Sequence, residues 1–137
     1  MNKTSTSVHV DWSAGLRFHV SSSSGAQAEL DGDKKIGLSP MESLLASLAT
    51  CMGADVVHLL RKMRTDLRAL AIDIRGERNP EPPRFFKSIG LTFSIEGKVP
   101  SEKVERAIAL SLEKYCSVFH SLRRDLVIRH EVNIRDG

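Results

Sequence analysis

Residues 39–63 read SPMESLLASLATCMGADVVHLLRKM, and this stretch decides the fold. Ser39 stands before Pro40 as an N-cap stands before a proline at the first helical position, Glu42 lies in the first turn, and apolar residues run on to Met63. A helix from Pro40 to Met63 is therefore predicted. Its apolar positions, among them Leu44, Leu45, Leu48, Met52, Val56, Val57 and Leu60, occupy most of the circumference, and a helix apolar nearly all round has to be buried nearly all round. One small sheet covers only one side. The most economical second surface is the same helix of a second copy in a two-fold homodimer; the competing arrangement wraps the helix entirely in its own chain.

On the N-terminal side, Val8, Val10 and Trp12 alternate with polar residues, Gly15 punctuates, and Leu16, Phe18 and Val20 alternate again before a turn over Ser21 to Gly25. This predicts a hairpin with one buried face. Ala26 to Leu30 reads as a third strand ended by the turn cluster Asp31-Gly32-Asp33. Beyond the helix, Leu70, Ile72 and Ile74 alternate, residues 79–83 form a loop, and Phe85 to Ile95 gives a long partner strand. Ser101 to Glu105 opens a second helix with a capping-type start, Cys116 to Arg124 is a short helix, and Val127 to Ile134 a last strand. Three strands, a helix, two strands, one or two helices and a strand make an α+β fold with a long buried central helix and antiparallel strands.

With 137 residues the chain fits one domain, residues 1–137, with a single core. The N-terminal run Met1 to Ser7 has no apolar segment of signal-peptide type, and Cys51, Asp55 and His58 interrupt the most apolar stretch, against an ordinary membrane span. A cytoplasmic protein is expected, with its two cysteines reduced at rest. The net charge of +3 is modest, and no Lys/Arg cluster is interleaved with aromatic residues, so no nucleic-acid partner is expected.

The chemistry that remains belongs to sulfur. At about 100° per residue, Ser43, Ser47, Cys51, Asp55, His58 and Lys62 fall in one row, the polar stripe of the helix. Such a stripe needs partners or a water-filled cleft, because an unpaired polar group costs about 1–3 kcal/mol in apolar surroundings. From the residues alone, Cys51 is either a thiol at such a cleft or a small core hydrophobe. Cys116 is either a thiol whose ionisation a following helix N-terminus favours, or a buried, inert neighbour of Tyr115. Cys51, Asp55 and His58 lack a further ligand at zinc-site spacing, so neither a metal nor an organic cofactor is expected.

At these residues the chain resembles the OsmC and Ohr family of osmotically induced and organic-hydroperoxide-resistance proteins. The resemblance runs from Ser39-Pro40 through the long helix to Cys51, then through strands to a second cysteine near Cys116. It implies an intertwined α+β homodimer that reduces organic hydroperoxides in oxidative-stress defence, Cys51 being the peroxidatic thiol and Cys116 the resolving one, with an external dithiol as reductant. It further implies a carboxylate near the helix opening, here Glu42, and an arginine from the N-terminal strands, here Arg17, which would stabilise thiolate and developing oxyanion. Met41 directly follows the proline where well-studied members carry the glutamate, and Ser117 replaces the proline after the resolving cysteine. Leu48 and Met52 are expected to favour an organic peroxide. The rival is a non-catalytic dimer of the same fold that binds a small apolar or thiol-containing molecule.

Overall fold

The computed structural model describes residues 4–136, so residues 1–3 of the N-terminal run lie outside it. The chain falls into two compact units that divide between Leu44 and Leu45. The first holds an antiparallel sheet in the order β1 (Val8–Ala14), β2 (Arg17–Ser22), β3 (Gln27–Asp31). Gly15, at φ +56°, turns the chain from β1 to β2, and the Trp12 indole N–H donates to its carbonyl at 2.9 Å. The third strand lies one residue later than the pattern places it, because Asp31 pairs with Arg17 in register and then organises the turn. Its buried carboxylate accepts the N–H groups of Asp33, Lys35 and Ile36 at 2.8, 3.1 and 3.2 Å. One expectation fails here. Val8, Val10 and Trp12, predicted to face a core, are 61%, 51% and 69% exposed in the single chain.

Helix α1 (Pro40–Lys62) opens as the sequence predicts. The Ser39 N–H donates to Glu42 Oε1 at 2.9 Å and the Glu42 N–H to Ser39 Oγ at 3.1 Å, a reciprocal capping box. The helix is long and apolar enough to span a bilayer by length and composition alone. One stripe of it, Leu48, Met52, Val56 and Leu60, has no exposed surface, which is the spacing of a core-facing helix side. Burial all round is not reached within one chain: Leu44, Leu45, Val57 and Leu59 are half-buried, and Thr50, Ala54 and His58 are exposed.

The second unit carries the sheet β4 (Asp66–Arg78), β5 (Phe86–Lys98), β6 (Val127–Arg135), with α2 (Ser101–Leu110), a π-helical turn (Ser111–Tyr115) and α3 (Ser117–His120) between β5 and β6. On β5 the alternation is strict: Ile89, Leu91, Phe93 and Ile95 are buried, while Gly90 is exposed and Ser88, Thr92 and Ser94 are half-buried. Strands β4 and β5 pair antiparallel, Ile72 opposite Phe93, but β6 pairs parallel to β5, Val132 opposite Phe93. The sheet is therefore mixed, correcting the expectation of antiparallel strands. A helical crossover returns the chain to the end from which β5 started, and only a parallel strand can follow it. Helix α2 has Pro100 as its N-cap, with no side-chain bond, so the capping start predicted from Ser101 is not made.

Candidate active site

Cys51 lies midway along α1 and is half-buried; Cys116 lies 65 positions later and has no exposed surface. The two thiols lie near enough for Cys51 to act on the Cys116 thiol. The backbone that delivers Cys116 is unusual. The chain leaves α2 through the π turn, in which the Cys116 N–H donates to the Ser111 carbonyl five residues back at 2.7 Å. A regular α-turn would have used the Leu112 carbonyl instead; here that carbonyl accepts from His120 Nε2 at 2.8 Å. Cys116 itself then leaves the helical region, at φ −78° and ψ 97°, and becomes the N-cap of α3, its Sγ accepting the Phe119 N–H at 3.4 Å.

Of the two readings the sequence left open for Cys116, an acidic thiol at a helix N-terminus or a buried one, the structure favours the buried thiol: its pKa is pushed up from 9.0 to about 11. Burial is the largest cause, the Phe119 N–H works against it, and contact with Cys51 and the negative charge of Asp55 raise the value further. A helix of four residues has too few aligned peptides to outweigh that burial. Cys116 is thus a protonated thiol at neutral pH, near a more accessible one. Asp55 adds a polar anchor to the pair: its Oδ2 accepts from the hydroxyl of fully buried Ser111 at 2.8 Å.

The other expected site residues fare differently. Glu42 is engaged at the start of α1, where the bonds from the Ser39 backbone and side chain hold its carboxyl below its usual value. Arg17 lies on β2 of the N-terminal unit, in register with Asp31. The Asp31 carboxyl is held down first by the Asp33 N–H, and the charge of Arg17 is among the lesser causes. Leu48 and Met52, expected to sort substrates, are completely buried core residues and line no open space. His58, placed by the helical wheel in the row of Cys51, is instead one wall of a groove of about 800 Å3 between α1 and β4 that Gly53, Ala54, Val57, Leu70 and Ile72 also line. Neither cysteine borders that groove, so the cleft predicted along the polar stripe is not this one. Ser111 was missed altogether. Its signal was faint: a small polar residue at an otherwise apolar helical spacing, Val104, Ile108, Ser111.

A family model described as OsmC-like protein matches residues 30–131. The chain is 38% identical over 127 residues to Protein YhfA of Escherichia coli (strain K12), across 91% of this chain and 95% of that protein. Its backbone is similar to that of a hypothetical protein from Aquifex aeolicus VF5, with a TM-score of 0.84 at 32% identity over 96% of this chain and 98% of that one. An organic hydroperoxide resistance protein OsmC from Legionella pneumophila shares the fold at a TM-score of 0.71 and 18% identity, over 97% of this chain and 99% of that one.

Proposed function

The chain belongs to the OsmC-like protein family, and from that premise we propose that it is a thiol-dependent peroxidase that reduces organic hydroperoxides through Cys51 and Cys116. The observation that carries this reading is that a half-buried thiol, Cys51, lies near enough to act on a fully buried one, Cys116. Such a pair has an inherent order of events. Cys51, the accessible sulfur, attacks the distal peroxide oxygen as a thiolate; the O–O bond breaks, the alkoxide takes a proton and leaves as alcohol, and Cys51 becomes a sulfenic acid. Cys116 then displaces hydroxide from that sulfur to form the disulfide, and an external dithiol reduces it by exchange. The raised pKa of Cys116 supports its place as second sulfur, because a protonated buried thiol does not compete for peroxide.

The reading includes a homodimer. The apolar side chains of β1, with Trp12 69% exposed, support it, since exposed apolar patches of this kind mark association surfaces. Sedimentation at micromolar concentration is expected to find two chains, and a folded monomer there would remove this part.

For the chemistry, the reduced protein is mixed with one equivalent of cumene hydroperoxide. Both thiols should disappear with release of one alcohol; Cys51→Ser should abolish consumption; Cys116→Ser should leave a single turnover and a sulfenic acid that dimedone labels. Arg17→Ala tests the cation that family resemblance implies, with a slower first step expected. Equal labelling of both cysteines, or none, counts against the assigned roles. The groove between α1 and β4 favours a second reading, a non-catalytic dimer that binds a small apolar or thiol-containing molecule. Thiols that survive peroxide, together with saturable uptake of an apolar fluorophore, would select it.

A further inference from the structure

The steps above use two sulfurs and leave one acidic side chain beside them without a role. Asp55 follows Cys51 by one turn of α1. Its Oδ2 is bonded to the Ser111 hydroxyl at 2.8 Å, and the carbonyl of the same serine accepts the Cys116 N–H at 2.7 Å. One fully buried serine thus holds both the carboxylate and the backbone of the second sulfur's residue. The ionisable groups whose charge acts on the Cys116 thiol are Cys51 and Asp55, both on α1.

Building on the peroxidase reading, we propose that Asp55, anchored by Ser111, carries the proton of the disulfide-forming step. As Cys116 Sγ attacks the sulfenic acid of Cys51, the S–H bond of Cys116 breaks and its proton passes to the Asp55 carboxylate. The S–O bond of Cys51 breaks in the same event, hydroxide departs, and the carboxylic acid returns the proton to it as water. The Cys116 sulfur is oxidised, the Cys51 sulfur is reduced, both end in the disulfide, and the carboxylate is restored.

Free ionisation of Cys116 is the costly alternative. A thiolate enclosed by protein and acted on by the charge of Asp55 places two negative charges in surroundings of low dielectric. Handing the proton over while the S–S bond forms keeps one negative charge at every stage. Ser111 is the positioning residue in this scheme: its hydroxyl restricts the carboxylate to one orientation, which general-base transfer requires.

The sign of one substitution decides the matter. Asp55→Asn keeps an oxygen for Ser111 while removing charge and basicity together. If Asp55 acted by charge alone, Asp55→Asn would ease thiolate formation at Cys116 and speed disulfide closure. As proton carrier, its loss slows closure by about 100-fold near neutral pH, the lower end for a lost general base. Closure in Asp55→Asn should then climb roughly tenfold per pH unit, following the free thiolate, where the wild type is nearly flat.

Two routes into closure are followed by stopped flow: cumene hydroperoxide, and 5,5′-dithiobis(2-nitrobenzoate). The latter derivatises accessible Cys51 and releases a second coloured thiolate when Cys116 displaces it, a leaving group that needs no proton and so isolates the base function. Ser111→Ala, expected to slow closure in the same direction by about tenfold, serves if Asp55→Asn does not fold. Closure in Asp55→Asn as fast as wild type or faster overturns the proposal, and so does a slowing with an unchanged pH profile. A wild-type protein that closes with the aromatic reagent but consumes no peroxide removes the peroxidase reading, and the sign of the Asp55→Asn effect on that closure still decides the role of Asp55. No closure by either route overturns both.

Discussion

Raising the pH under reducing conditions should erode the stability of the wild-type protein relative to Cys116→Ser, and the size of that erosion follows from the burial of one thiol. Cys116 has no exposed surface and its pKa stands at about 11 when folded, against 9.0 for the ordinary thiol. The folded chain therefore binds this proton more tightly than the unfolded one. The stabilisation this represents is complete below the unfolded value and is lost as the pH rises toward and through the folded one. Two proton-binding curves separated in this way remove about 1 kcal/mol by about pH 10 and about 2 kcal/mol by about pH 11. A buried serine hydroxyl does not titrate in this range, so comparison with Cys116→Ser cancels what the two proteins have in common. Urea unfolding with a phosphine reductant, at about pH 7 and about pH 10, reads the difference. With a urea m-value of about 1–3 kcal/mol/M, the gap between the two midpoints should change by about 0.3–1 M. Parallel pH dependence of the two proteins over that interval would refute the assignment of Cys116 as a thiol held protonated by its surroundings.

Three structural predictions accompany it. Ser39→Ala removes one half of the capping box and should cost about 1 kcal/mol in thermal or urea unfolding while leaving peroxide consumption unchanged. Leu48→Ala, at a site with no exposed surface, should cost about 2–5 kcal/mol, read as a lower urea midpoint. Gly97 adopts φ +130°, and a Cβ there would come within 1.9 Å of the Asp66 carbonyl oxygen. Gly97→Ala should therefore destabilise the β4–β5 pair by at least about 2 kcal/mol, visible as accelerated amide exchange along both strands.

Much of the fold was legible because its determinants are local. The Ser39-Pro40 helix start, the alternation along β5 and the turn at Gly15 each depend on a few neighbouring residues, and each is found where the pattern places it. The exposed apolar side of β1 shows the limit of that logic, since alternation states that a face is apolar and is silent on what covers it. The direction of β6 was not legible either, because a strand's pattern is the same read parallel or antiparallel.

At the site, the sequence by itself pointed to the two cysteines as the candidate reactive groups, placed Cys51 on a polar row of a largely apolar helix, and put Asp55 one turn away. Only the tertiary structure decided that Cys116, 65 residues on, lies within reach of the influence of Cys51, that Ser111 joins Asp55 to the backbone of Cys116, and that burial outweighs the cap of α3 in setting the Cys116 thiol. The reason is physical. Side-chain periodicity is a property of adjacent residues, whereas the proximity of two sulfurs depends on a single extra residue in the π turn and on how the following backbone is packed. The pKa of a thiol depends in turn on the solvent that packing removes.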